Sequence, residues 1–157
     1  MNADVLLSIQ FLHILFGAIY LGGFIYIHFV LWPTLLSRPS AEAKGFYGAV
    51  LKKTTILMGS SLGMTFLLGI TLGIGNHQIN SLESLGTKYG ITYSIALLAN
   101  LVLLLQGPGR GPALLNKIWN GNQFVPDAAK TVKKMYRSTQ VAIGVILVCM
   151  ILMVYGL

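Results

Sequence analysis

Four stretches of this chain carry no charged side chain, and each is 20 residues or longer. They run between Asp4 and Arg38, between Lys53 and Glu83, between Lys88 and Arg110, and from Ser138 to Leu157. Crossing about 30 Å of hydrocarbon takes about 20 apolar residues in a helix. Lipid offers the backbone no hydrogen-bonding partner, so a single-segment crossing has to be helical. The predicted spans are 5–33, 54–77, 90–107 and 134–156. Together they make residues 1–157 a single all-α domain, an integral membrane four-helix bundle with up-down-up-down order. Composition agrees, because charged residues make up only 10% of the chain, against about 25% in a typical soluble domain. Trp32 and Pro33 mark the expected end of the first helix, and Gly107-Pro108-Gly109 that of the third. No repeat and no soluble domain is expected.

The net charge of +7 reads as topology. Arg38, Lys44, Lys52 and Lys53 fall in the first connection. Arg110, Lys117, Lys130, Lys133, Lys134 and Arg137 fall in the third, which leaves Lys88 alone on the other side. Basic residues concentrate on the cytoplasmic side of membrane proteins. Both basic connections are therefore expected inside and both termini outside, in the cytoplasmic membrane of a prokaryote. Anionic headgroups account for the charge, and a nucleic-acid partner is not expected. The segment from Pro126 to Gln140 reads as a basic helical lead-in to the fourth span. The opening Met-Asn-Ala-Asp lacks a basic n-region, so the first helix is expected to be retained rather than cleaved. A single cysteine, Cys149, makes an intrachain disulfide impossible.

Helices in lipid associate through small residues that permit close approach. Gly59, Gly63, Gly69 and Gly73 fall within an arc of about 120° on the second helix. Helix contact explains them, and so does a smooth wall for a flat cofactor.

Polar side chains in a membrane are functional candidates by default. His13 and His28 share the first span, about 22 Å apart along it and about 60° around it. One metal cannot bind both, but two separate sites could. Gly17 lies one turn from His13 on the same face and leaves room beside the imidazole. His77 ends the second span, where it could pair with His13 across a haem or simply sit hydrated at the interface. His28 is equally well read as a ligand or as an interfacial histidine bonded to a neighbouring helix. Imidazole is a common metal ligand, and haem iron accepts His with His or Met. Met150 or Met153 could stand opposite His13, and with Cys149 they also form a soft set suited to Cu(I); core filling is the plainer role for methionine. Gln10, Asn100, Gln106 and Gln140 are accounted for by interhelical hydrogen bonds. No Asp, Glu, Lys or Arg is expected in mid-membrane, which argues against a proton pump, a voltage sensor or an ion-coupled transporter. No phosphate loop, HExxH or nucleophile–base pair is present.

The run His13-Ile-Leu-Phe-Gly17-Ala-Ile-Tyr-Leu-Gly22-Gly23, followed by Phe29-Val-Leu-Trp-Pro33, resembles the opening helix of CopD-like copper-resistance membrane proteins. It is similar, more distantly, to the first helix of HemJ-type protoporphyrinogen oxidases, a four-helix haem b family. The resemblance covers about 30 residues. It implies a four-helix bundle with His13 as a ligand, and either copper handling or bound haem b with redox chemistry. Three functions stay open. One is a b-type haem protein, with one or two haems, that transfers electrons, senses redox state or a gas, or acts as a haem-dependent oxidoreductase with a membrane or periplasmic redox partner. The second is a copper-binding or copper-transport protein. The third is a cofactor-free accessory subunit of a membrane complex or homo-oligomer.

Overall fold

The computed structural model describes residues 2–155, apart from the side chains of residues 108–110. Helix α1 (Ala3–Tyr26) passes through a π-helical segment (Ile27–Leu31) into α2 (Trp32–Leu36). Helix α3 (Ser40–Gly75) returns, and a short 3-10 turn (Glu83–Gly86) leads into α4 (Lys88–Ile118). A two-stranded hairpin, β1 (Trp119–Asn120) and β2 (Gln123–Phe124), precedes α5 (Ala128–Tyr155). The chain is thus all-α, with four helices long and apolar enough to cross a membrane. They pack in chain order, α1 on α3, α3 on α4 and α4 on α5, while α1 and α5 barely meet along their backbones.

Each expected span is present, but four boundaries lie elsewhere. The first helix does not end at Pro33. Pro33 lacks an N–H and crowds the carbonyl four residues back, and the wide turn just before it accommodates both. Within that turn the Trp32 N–H reaches the Ile27 carbonyl, five residues back. The second helix begins at Ser40 rather than residue 54, so only Ser37–Pro39 separates it from α2. The third runs on past Gly107 to Ile118, and the fourth starts at Ala128 rather than residue 134. The basic connections are therefore mostly helix.

Length explains what these extensions do. The 36 residues of α3 measure about 54 Å at 1.5 Å per residue, far more than a hydrocarbon core of about 30 Å. The surplus turns of α3, α4 and α5 gather at the basic end and bury a core. Leu31, Trp32, Leu35, Ala43, Tyr47, Leu114, Ile118, Trp119, Ala128 and Val132 form it. Trp32 packs on Tyr47 at 4.8 Å between ring centroids, and Tyr47 stacks on Trp119 at 5.9 Å. The hairpin clips this cap together. Gly121 takes the left-handed φ of 58° that its tight turn requires, and its carbonyl accepts from Lys44 Nζ at 2.7 Å. The Trp119 indole donates to the Ser40 carbonyl at 3.1 Å. In the spans, by contrast, Leu98, Leu105, Val148 and Ile151 face outward, as lipid contact requires.

Truncating Trp119 to Ala should cost about 3–5 kcal/mol, the usual loss for a buried large aromatic. Truncating the outward-facing Leu98 to Ala should change stability by less than about 0.5 kcal/mol. Denaturation of both variants in one detergent gives the comparison. Equal losses would mean that the cap is not a true core.

Candidate functional site

His13 is anchored by a neighbouring backbone. Its Nδ1 lies 3.0 Å from the Thr65 carbonyl oxygen, which can only accept, so Nδ1 carries the proton and donates. Nε2 is then left with its lone pair. A glycine on the facing helix makes the approach possible. A Cβ on Gly69 would lie 3.1 Å from His13 Cε1, and one on Gly17 would lie 3.8 Å from the Thr65 methyl. Gly69 is thus the glycine that receives the imidazole, while Gly17 meets the Thr65 side chain at ordinary contact distance. The remaining glycines divide by role. Gly73 makes room for the Tyr93 ring, Gly23 for Met58, and Gly63 approaches Leu104. A Cβ on Gly59 would meet nothing within 4 Å.

His77 does not join His13. It lies eight residues beyond Gly69 and past the end of α3, a rise of about 12 Å if the helix continued. It is exposed and takes a positive φ of 58°. The methionines do not converge either. Met150 is 49% exposed on the lipid face, the wrong side for a ligand opposite His13. Cys149 is buried on the inner face of α5 and Met153 is half-buried, but α5 packs along α4 and not along α1. Among the described residues no group of three or more His, Cys, Asp or Glu side chains is placed to hold a metal.

His28 sits in a more elaborate setting, inside the π-helical turn Ile27–Leu31. Such turns recur at functional sites. Its ring stacks on Phe24, with centroids 5.9 Å apart and planes 3° from parallel. It also meets the edges of Phe29 at 4.9 Å and Tyr136 at 5.9 Å. Gln140 Nε2 of α5 lies 2.7 Å from His28 Nε2. The amide N–H donates to the ring nitrogen, which places the ring proton on Nδ1, buried without a partner. This contact bridges α1 and α5 where their backbones stand apart, as expected of an interfacial histidine bonded to a neighbouring helix. The Tyr136 hydroxyl also accepts from the Trp32 indole at 3.4 Å, tying the bridge to the cap.

Between the four helices, just inside this bridge, lies a cavity of about 310 Å³. Tyr20, Phe24, Tyr47 and Tyr136 line it with rings, Met58, Leu62 and Leu103 with apolar groups, and Gly59 and Gly107 with bare backbone. Thr139 supplies a hydroxyl that has no partner among the described residues. No charged side chain lines it among the described residues. The cavity escaped the sequence reading because its walls come from helix faces whose rotation a charge-free stretch does not reveal. The one available signal was Tyr20, Tyr47 and Tyr136 lying near the basic ends of three helices. Comparison with protein-family models, curated proteins and solved structures finds no match to this chain.

The bridge has a measurable signature. Gln140→Leu leaves a histidine nitrogen unsatisfied and should cost about 1–3 kcal/mol. Adding His28→Phe removes the stranded polar group and should recover most of that loss. Thermal unfolding of the two single variants and the double variant checks the cycle; strictly additive losses would show that the pair does not interact.

Proposed function

We propose that this protein is a b-type haem protein of the cytoplasmic membrane that senses redox state or a small gas, or passes electrons to a membrane or periplasmic partner. The observation that carries this reading is the His13–Thr65 hydrogen bond, 3.0 Å long. A ligating histidine characteristically donates its second N–H to a carbonyl or carboxylate, which fixes the tautomer and strengthens the ligating nitrogen. His13 has that arrangement on a helix that resembles the opening helix of CopD-like and HemJ-type proteins.

The residues around His13 fit such a group. Nε2 would hold the iron, and Gly69 keeps the imidazole from being crowded by a β-carbon of the facing helix. Haem bound there would supply one-electron redox chemistry or a binding position for a small gas. Thr65 holds the imidazole by its backbone, so its side chain can change without loss of the anchor. Neither His77 nor Met150 lies where it would complete a pair with His13 inside one bundle, which favours a single protein ligand. The concentration of ten of the eleven basic residues at the capped end supports a cytoplasmic cap and outward termini.

Purified protein supplied with haem should show a Soret band and sharp reduced α and β bands. His13→Ala should lose them, while His77→Ala should keep them. Gly69→Ala, which presses a methyl toward the imidazole, should lower haem occupancy with the fold intact. With a single protein ligand, carbon monoxide should bind the reduced form and shift the Soret band. A preparation that stays colourless after haem is added would overturn the reading. Copper analysis would then separate a copper protein from a cofactor-free subunit.

A further inference from the structure

We propose that the cavity between the four helices binds a neutral, ring-shaped ligand with a carbonyl acceptor, of the quinone class, and that Thr139 is its hydrogen-bond donor. The site is separate from His13 and does not depend on haem.

One hydroxyl in the cavity wall stands out from its kind. Threonines in these helices usually donate to the carbonyl four residues back: Thr54 to Val50, Thr65 to Ser61, Thr71 to Leu67 and Thr92 to Lys88, all at 2.8–3.0 Å. Thr139 does not. It is only 4% exposed, lines the cavity, and its Oγ1 has no partner among the described residues. A buried polar group left unpaired costs free energy, so a ligand that supplies the acceptor is favoured at this point.

The rest of the lining defines that ligand. With no cation among the described residues of the wall, a carboxylate or phosphate would be stripped of water without compensation. Four aromatic side chains, Tyr20, Phe24, Tyr47 and Tyr136, favour a flat ring by stacking and edge contact. A volume of about 310 Å³ lies at the small end of ligand pockets, enough for one substituted ring. On the α1–α5 side the backbones stand apart and side chains close the wall, His28 to Gln140 and Phe24 to Tyr136.

The chain carries its own reporter. Its only two tryptophans are Trp32 and Trp119, and both pack on Tyr47, a cavity residue. Titration of the full-length protein in detergent with decylubiquinone should quench tryptophan fluorescence to saturation. Thr139→Val keeps the shape and removes the hydroxyl. It should weaken binding about two- to tenfold, the range of one neutral hydrogen bond, while the ligand-free protein melts at or above the wild-type temperature. Gly59→Leu, which extends into open space, should abolish saturable quenching. Dodecanoic acid should not compete. Unsaturable quenching, equal competition by the fatty acid, or unchanged affinity in both variants would overturn the proposal. Haem binding through His13 should be indifferent to Thr139→Val, so the two sites stand or fall separately.

Discussion

The four long helices outrun the hydrocarbon core of a bilayer, and that mismatch shapes the rest of the molecule. A helix of 36 residues cannot end where the hydrocarbon ends. Its surplus turns carry Lys44, Lys52 and Lys53 into water at one end, together with apolar residues that have to be covered. The cover is the tryptophan-rich cap, built where water rather than lipid is the solvent and the hydrophobic effect operates at full strength. Within the spans that force is missing, and glycine contacts and a few polar bridges take its place. One chain thus combines two kinds of packing, and the cavity lies at their boundary.

The helices were legible in the sequence because the rule behind them is local. Twenty consecutive residues without charge leave the backbone no alternative in lipid. The boundaries were less legible because they depend on tertiary contacts. Pro33 normally stops a helix, yet here a wide turn five residues long absorbs its missing N–H. Lys44 and Lys52 resemble loop residues by charge, yet Ala43 and Tyr47 between and beside them are buried against α4 and the hairpin. The hairpin itself was not expected; Gly121-Asn122 marks its turn only once Trp119 and Phe124 are seen to pair.

The candidate ligands divide in the same way. His13 and Gly17 were identifiable because they share one helix face, and period alone puts them together. Gly69 joined them only through the antiparallel register of α1 and α3. His77 and Met150 failed as partners for His13 because helix rise and helix rotation decide depth and facing, and neither can be read from hydropathy. Gln140 looked like a generic interhelical donor, and its specific partner, His28, became evident only when α5 was placed beside the π turn.

That π turn has a consequence for how the first helix addresses its neighbours. One residue added to a helical turn delays everything downstream by about 100° of rotation. Before the turn, Tyr20 and Phe24 look into the bundle; after it, Trp32 and Leu35 look into the cap. The inserted residue therefore works as an angular offset between two rigid halves of a single rod. It lets one helix keep a lipid-phase register and a water-phase register at once, without a break in the chain.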